Sequence, residues 1–317
     1  MGEIKSCLVG YTGFVGSNLD QSFNFNYRYN SKNIGDAYGL NPDLLVYAGV
    51  TGTKFLANNN PDKDREHIEK SIENIKNINP KKLVLISTVD VYKNPVGVDE
   101  DSKIILEGLH PYGLNRFYLE QWVQNNYKDH LIVRLPAIYG ENLKKNFIYD
   151  IINPIPYALN KDIYLKLSLE CNKRLLEKCY QVNVSNKDYY ALMQITDRER
   201  EELKKVLEKI NISTLNFTDS RNIYQFYNLK YLWEHINLCL ENNIHLINIA
   251  TEPLKASEVY KEVFGKEFSN LINIPSITYN YYTKYARLFN GEEKYIFNKL
   301  MVLEDLKKFI ITNMSKI

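Results

Sequence analysis

The chain has 317 residues, of which 44% are hydrophobic and 25% are charged, and its 40 basic and 38 acidic residues give a formal net charge of +2. This composition is typical of a globular protein and excludes a disordered, collagen-like or disulfide-scaffold chain. Nucleic-acid binding requires a long basic footprint, and the basic residues here form no such run. We therefore expect no nucleic-acid partner.

The length predicts two domains, or one large α/β domain with a substrate lobe, at about 150 residues per domain. Every apolar run is shorter than the ~18 residues that cross a bilayer, so no membrane partner is expected. The four cysteines (Cys7, Cys171, Cys179 and Cys239) form no C-x-x-C pair, which favours a cytoplasmic protein with reduced thiols. The histidines lack ligand spacing, so we expect no metal site.

Apolar β-rich runs alternate with helical stretches through the first half of the chain. The predicted strands are Ile4–Gly10, Tyr27–Asn30, Leu44–Ala48, Leu83–Ser87 and Leu131–Leu135. The predicted helices are Phe14–Gln21, Lys63–Ile78 and Gly113–Asn125. This order predicts an α/β fold with a Rossmann-like, doubly wound parallel sheet, whose ligand crevice lies at the carboxyl ends of the strands.

The alternation stops near Gly140, and the turn at Asn153–Pro156 precedes a long segment rich in Lys, Glu and Tyr. We therefore predict a first domain at 1–140 and a smaller, mostly helical substrate lobe at 141–317. Leu246–Ile249 and a helix at Ser257–Phe264 are expected to return to the main sheet, so 244–264 would belong with it.

One helix of the predicted lobe has a clear start. Thr196 and Glu199 have the spacing of a capping box. The apolar residues that follow recur at i, i+3, i+4 and i+7; they are Leu203, Val206, Leu207 and Ile210. This amphipathic helix either packs on its neighbours in the lobe or mediates dimerisation.

A glycine loop lies between the first strand and the first helix. Its sequence is Gly10-Tyr-Thr-Gly13-Phe-Val-Gly16. Small residues let the backbone approach a pyrophosphate, and the helix amino terminus supplies amide donors and a positive dipole. The domain at 1–140 is therefore predicted to bind a dinucleotide.

The end of the second strand indicates which dinucleotide. NAD-binding folds usually place an acid about 20 residues after the first glycine, where it accepts the ribose hydroxyls. Here that point falls at Asn30, beside Arg28, Ser31 and Lys32. Donors and positive charge suit a 2′-phosphate, which favours NADP over NAD within an NAD(P) site, unless these charges only solvate a turn.

Further short motifs follow the loop in chain order. They are Ser87–Tyr92, Tyr112-x-x-x-Arg116, Arg134–Gly140, Ser220–Tyr224, Asn248–Ala250 and Thr283–Lys284. Together with the glycine loop, this set resembles the extended short-chain dehydrogenases/reductases, the NAD-dependent epimerase/dehydratase family that acts on nucleotide sugars. The resemblance covers nearly the whole chain.

The resemblance implies a catalytic set of Thr88, Tyr112 and Arg116. Thr88 would hold a substrate oxygen while Tyr112 gives or takes its proton. A phenol with a pKa near ~10 needs a nearby cation to ionise at neutral pH, and residue 116 lies one helical turn on. The family has lysine there, whereas Arg116 is larger and planar, so the difference is not conservative.

Asp90 lies two residues after Thr88. In the family's dehydratases and decarboxylases the matching residue is commonly a glutamate that acts as acid/base, and in its epimerase-reductases it is a cysteine. Asp90 is therefore either a fourth catalytic residue or a loop carboxylate that accepts local hydrogen bonds. Val89 stands where the dehydratases have an acid, which favours a reductase or an epimerase.

The resemblance also implies two sets of binding residues. The cofactor would contact Gly10, Thr12, Gly13, Phe14, Val15, Gly16, Asn30, Ser31, Lys32, Ala48, Gly49, Tyr112 and Arg116. The diphosphate of the substrate would contact Lys145, Asn146 and Arg221, although Lys145 also suits a solvated helix face. Ala137 replaces the family's usual asparagine.

The expected function is that of an NAD(P)-dependent oxidoreductase or epimerase that transfers hydride at a carbon of a nucleotide-diphosphate sugar. The alternative, motivated by Arg116, Val89 and Ala137, is a catalytically silent regulator or scaffold that binds NAD(P) or a nucleotide sugar. Many members of the family pair through helices of the first domain, so a homodimer is compatible with either.

Overall fold

The computed structural model describes residues 4–183 and 188–315. Its strands are β1 Ser6–Val9, β2 Tyr27–Tyr29, β3 Leu44–Tyr47, β4 Lys82–Thr88, β5 His130–Leu135, β6 Ala137–Tyr139, β7 Ala158–Asn160, β8 Tyr180–Val182, β9 Tyr189–Leu192, β10 Ile223–Tyr224, β11 Phe226–Asn228, β12 Leu246–Asn248 and β13 Leu254–Lys255. Its helices are α1 Phe14–Ser22, α2 Lys54–Asn59, α3 Pro61–Ile78, α4 Pro111–Asn126, α5 Phe147–Ile152, α6 Lys161–Glu170, α7 Lys173–Cys179, α8 Asp197–Lys209, α9 Leu232–Glu241, α10 Ala256–Phe264 and α11 Lys299–Met314.

The chain divides into two compact units, and each is built from three separate stretches. The first unit holds the residues up to Leu143 together with Ile223–Leu254 and Thr278–Asp305. The second holds Lys144–Asn222, Lys255–Ile277 and the residues from Leu306 onward. The predicted lobe was 141–317 apart from 244–264. In the structure, the stretches that return to the first unit are the longer Ile223–Leu254 and Thr278–Asp305, and α10 lies in the second unit.

The first unit contains a parallel six-stranded sheet in the order β12-β5-β4-β3-β1-β2. All five predicted strands and the returning strand β12 are present, with ends that differ by one or two residues. The order reverses between β1 and β3, so the ligand crevice of such a sheet is expected at their carboxyl ends. The predicted α/β, doubly wound fold is confirmed.

Both faces of this sheet are buried, which explains its nearly continuous apolar strands. Leu8 and Val84 pack on one face in a cluster that includes Ile236 from α9. Their neighbours Cys7 and Leu83 pack on the other face with residues of α3 and α4. Cys7 is fully buried in β1.

The second unit has a small core of its own. An antiparallel sheet in the order β7-β9-β8 packs with α6, α7 and α8. Thr196 forms the predicted capping box with Glu199 at the start of α8. Leu203 and Leu207 of α8 are buried in this core, which favours the interpretation of α8 as a helix that packs within the lobe.

No helix within residues 4–183 and 188–315 is both long enough and apolar enough to cross a bilayer. Within the same described ranges, no group of three or more His, Cys, Asp or Glu side chains is arranged to hold a metal ion. The four cysteines are unpaired and buried.

Candidate active site

The glycine loop is packed backbone against backbone. Gly10 has a φ of +94°, and a Cβ added there would lie 2.6 Å from the carbonyl carbon and oxygen of Ala48 and 2.8 Å from the amide nitrogen of Gly49. A Cβ at Gly16 would lie 2.0 Å from the carbonyl oxygen of Gly10. The Gly13 amide donates to that same oxygen at 2.9 Å, and this hydrogen bond closes the loop. Any side chain at position 10 or 16 would therefore push the loop open.

The loop leads directly into α1. Gly13 occupies the N-cap position and has no side chain to cap the helix, and the first turn contains no acidic residue. The first amides of a helix have no intrahelical acceptor, so they favour an anion. Thr12 is exposed at this end, and Phe14 and Val15 are half-buried. The loop and the start of the helix together fit a pyrophosphate.

The turn after β2 lies next to the loop because the Gly10 amide donates to the carbonyl of Tyr29 at 2.7 Å. Asn30 Oδ1 accepts from the Lys32 amide at 2.9 Å, so the side chain of Asn30 shapes this turn. Ser31 and Lys32 are exposed. The turn offers a hydroxyl and an ammonium group where NAD-binding folds have a carboxylate.

The guanidinium of Arg28 pairs outside this turn. Its guanidinium forms an ion pair with Asp20 of α1 and donates to the carbonyl of Phe25 at 2.6 Å and to Asn24 Oδ1 at 2.8 Å. Of the two cations that the sequence places near Asn30, Lys32 is the one that extends into solvent at the turn.

Tyr112 is fixed at the start of α4. His110 caps this helix, since its Nδ1 accepts from the Gly113 amide at 3.0 Å, and Pro111 begins it. The Tyr112 amide donates to Asn58 Oδ1 of α2 at 3.0 Å. Burial lowers the pKa of His110, which agrees with an unprotonated Nδ1 that accepts a hydrogen bond. The backbone around Tyr112 is therefore held from two sides.

Arg116 lies against the face of the Tyr112 ring, with 4.2 Å between the guanidinium carbon and the ring centroid. The guanidinium forms a buried ion pair with Asp64 of α3 and donates to the carbonyl of Thr51. Asn115 donates to the same Asp64 oxygen at 2.8 Å. The side chains of Arg116 and Asp64 are only 4% and 6% exposed, so the Arg116 charge is balanced by a buried carboxylate within the protein.

Several groups act on the ionisation of Tyr112. Burial raises the pKa of its phenol, the Arg116 charge opposes this, and the Asp90 charge raises the pKa further. The Thr88 hydroxyl, as a hydrogen-bond partner, lowers the pKa, whereas Asp64 raises it. The net direction is upward, because burial dominates and Asp64 offsets part of the Arg116 charge.

Asp90 is held by residues from distant parts of the first unit. Its Oδ1 accepts from Lys54 Nζ of α2 at 2.8 Å and from the Tyr279 hydroxyl at 2.7 Å. Its backbone amide donates to Thr88 Oγ1 at 3.1 Å. Thr88, the last residue of β4, is thereby connected to Lys54 and Tyr279 through Asp90.

The chain is similar to known proteins in structure, although no family model or curated sequence matches it. A dTDP-4-dehydrorhamnose reductase from Bacillus anthracis, solved with NADP, matches with a TM-score of 0.62 and 15% identity over 98% of this chain and 99% of its own. A UDP-N-acetylglucosamine 4-epimerase from Methanobrevibacter ruminantium, solved with UDP-N-acetylmuramic acid, matches with a TM-score of 0.61 and 13% identity over all of both chains. A UDP-glucose 4-epimerase from Thermotoga maritima, solved with UDP-glucose, matches with a TM-score of 0.58 and 14% identity over 96% of this chain and 97% of its own.

The chain has the fold of nucleotide-sugar reductases and epimerases. This fold agrees with the α/β, Rossmann-like fold that the sequence motifs predicted, and the similarity spans nearly the whole length. At this identity the similarity establishes the fold, and the activity has to be argued from the site.

The predicted diphosphate residues lie in the second unit. Asn146 caps α5, where its Oδ1 accepts from the Ile148 amide at 2.9 Å and the Tyr149 amide at 3.1 Å. The helix therefore begins at Phe147, and Lys145 lies exposed just before it and not on the helix face that the sequence suggested.

Arg221 is paired within its own unit. It donates to Asp219 through Nε at 2.9 Å and through a terminal nitrogen at 2.7 Å. The Arg221 side chain is 52% exposed while that of Asp219 is 2% exposed, and this bidentate contact holds the pKa of Asp219 well below its ordinary value. A diphosphate would have to compete with Asp219 for this guanidinium.

Three residues of the site were not predicted from the sequence: Asp64, Lys54 and Tyr279. For Asp64 a signal existed, because it lies four residues before Ile68 on the apolar side of α3, where a carboxylate needs a buried partner. Lys54 and Tyr279 offered none, since neither has a distinctive spacing and they are 225 residues apart.

Proposed function

We propose that this chain is an NAD(P)-dependent oxidoreductase or epimerase that transfers hydride at a carbon of a nucleotide-diphosphate sugar. The observation that carries the proposal is that one unit holds both the tight glycine loop before α1 and the pair Thr88 and Tyr112, at the end of β4 and the start of α4. The reductase and epimerases named above share this fold and act on, or were solved with, nucleotide sugars.

NADP is the favoured cofactor. The turn after β2 has Asn30, Ser31 and the exposed Lys32 instead of a carboxylate, which suits a 2′-phosphate. The Bacillus anthracis reductase was solved with NADP. When bound, the nicotinamide would supply or accept the hydride.

The chain's own residues would transfer the proton and orient the substrate oxygen. Tyr112 gives or takes the proton of the sugar hydroxyl as its carbon changes oxidation state, and Thr88 orients that oxygen. Arg116 supports the face of the Tyr112 ring and favours the phenolate through its charge. Asp64 and Thr51 occupy its donors, so Arg116 acts mainly as a support for Tyr112.

A catalytically silent NAD(P)-binding or nucleotide-sugar-binding regulator or scaffold is the second candidate. The observation that favours it is the buried ion pair of Arg116 with Asp64, because a neutralised guanidinium helps a phenol to ionise less than an unpaired lysine would. This candidate predicts ligand binding without turnover.

Cofactor binding is the first test. Fluorescence titration with NADH and with NADPH, and native mass spectrometry of any dinucleotide carried by the purified protein, should show binding with NADPH the tighter ligand. Gly16→Ala is the loop control, since its Cβ would collide with the Gly10 carbonyl and should weaken binding at least ~10-fold. Failure of both dinucleotides to bind would refute the oxidoreductase or epimerase and would leave a silent protein that binds a nucleotide sugar.

Turnover separates the two candidates. A panel of nucleotide sugars, monitored by cofactor absorbance and product mass, should show activity that Tyr112→Phe lowers by ~10²-fold to 10⁴-fold while cofactor affinity stays nearly unchanged. A Phe variant with full activity would rule out the role assigned to Tyr112. Binding without turnover across the panel would support the silent protein.

A further inference from the structure

Three separate segments of the first unit meet at one carboxylate oxygen. Asp90 Oδ1 accepts from Lys54 Nζ at 2.8 Å and from the Tyr279 hydroxyl at 2.7 Å. Lys54 begins α2, Asp90 follows β4, and Tyr279 lies in the stretch that returns after residue 277. Two donors on one oxygen fix the direction of the carboxylate more strongly than a single surface contact would.

The backbone at Asp90 is equally well defined. Residues Val89–Val91 form one 3₁₀ turn, closed by the Tyr92 amide donating to the Val89 carbonyl at 3.0 Å. Within this turn the Asp90 amide donates to Thr88 Oγ1 at 3.1 Å. Because that oxygen already accepts a hydrogen bond, the orientation of the Thr88 hydroxyl depends on where the turn holds the amide.

We propose that Lys54 and Tyr279 are positioning residues for the reaction: by holding the Asp90 carboxylate, they fix the turn whose amide orients the Thr88 hydroxyl toward Tyr112. This inference rests on the proposed function, since it assigns Thr88 and Tyr112 to the chemistry. It answers the question that the sequence left open about Asp90, whose side chain is a structural anchor and not the acid or base.

The sign of the effect on Tyr112 follows from the groups around it. The groups that act on this phenol are Thr88, Asp90, Tyr279, Arg116 and Asp64, and the His110 ring is adjacent at 6.2 Å between ring centroids. Loss of Lys54 removes a positive charge from the Asp90 side and loosens the turn that orients Thr88. Both changes disfavour the phenolate, so the pKa of Tyr112 should rise.

The test is NMR titration of the full chain labelled with ¹³Cζ-tyrosine, in which Tyr112→Phe identifies the Tyr112 signal. Lys54→Met and Tyr279→Phe should each move the Tyr112 titration to higher pH, and Lys54→Arg should restore it. Lys81→Met is the matched control, because it removes another lysine–aspartate pair, with Asp43 at 2.7 Å, at the amino end of β4. An unmoved titration in Lys54→Met, or an equal shift in Lys81→Met, overturns the proposal.

Turnover adds a second criterion. If Asp90 is an anchor, Asp90→Asn keeps an oxygen that accepts from Lys54 and Tyr279, so it should retain most of kcat, whereas Asp90→Ala should lose about 10-fold to 100-fold. Loss of all activity in Asp90→Asn would make Asp90 a proton-transferring group and overturn the proposal. The NMR titration requires no substrate, so it decides the inference even if no nucleotide sugar is turned over, which would count against the proposed function alone.

Discussion

Two cation–carboxylate pairs of unequal burial lie near Tyr112. In the first pair, the side chains of Arg116 and Asp64 are 4% and 6% exposed. In the second, those of Lys54 and Asp90 are 41% and 17% exposed. The first pair joins α3 to α4, and the second joins α2 to the turn after β4, so both pairs join elements next to Thr88 and Tyr112.

The difference in burial gives the two pairs different roles. A buried pair cannot lose one partner without leaving the other charge in a medium that solvates it poorly, so it acts as a fixed part of the fold. A partly exposed pair contributes little to the free energy of folding because water solvates either partner alone. We therefore expect the free energy of unfolding to depend mainly on Arg116 and Asp64, and the pKa of Tyr112 to depend on Lys54 and Asp90.

Asp64→Ala should give the largest loss of stability. It leaves the buried Arg116 guanidinium without a counter-ion, and we expect the free energy of unfolding to fall by about 3 to 5 kcal/mol. Urea denaturation followed by circular dichroism measures this. Asp64→Asn is the control, since its amide oxygen still accepts a hydrogen bond and should recover part of the loss. A loss below about 1 kcal/mol in Asp64→Ala would contradict the structural role.

Arg116→Lys should have an intermediate effect. An ammonium group cannot reach Asp64 and the Thr51 carbonyl while also stacking on the Tyr112 ring, so we expect a loss of about 1 to 3 kcal/mol. The same variant tests the chemistry, because an enzyme adapted to arginine should become slower. A gain in nucleotide-sugar turnover would instead indicate a decayed site that lysine restores.

Lys54→Ala should change stability least. We expect a loss of less than about 1 kcal/mol, and the loss should shrink further at high salt because the pair is partly exposed. Denaturation at low and high ionic strength measures both quantities. A loss as large as that of Asp64→Ala would erase the distinction between the two pairs.

Local patterns explain what the sequence could predict. The strands of the six-stranded sheet, the glycine loop and the start of α8 each have their signal within a few adjacent residues, and the structure has these elements at those places. Gly10 and Gly16 are informative because a single added carbon at either would collide with backbone. The predicted strand Leu83–Ser87 is likewise present as β4, which is one residue longer at each end and so includes Thr88.

Contacts between different elements explain what the sequence could not predict. Arg28 lies two residues before Asn30, but its partner is Asp20 on α1. Tyr279 reaches Asp90 across 189 residues, a separation at which no spacing rule applies. Contacts between distant stretches also assemble the two units, since each is built from three separate stretches of the chain.

That interrupted assembly has a consequence for how the protein is made. The β5 strand ends at Leu135, but its neighbour β12 is more than a hundred residues further along, at Leu246–Asn248. During synthesis the apolar β5 edge of the sheet therefore stays unpaired until the stretch Lys144–Asn222 and then β12 have been made. A nascent chain stopped before β12 would expose that edge to other chains, so we expect it to aggregate more readily than a chain that extends past residue 248.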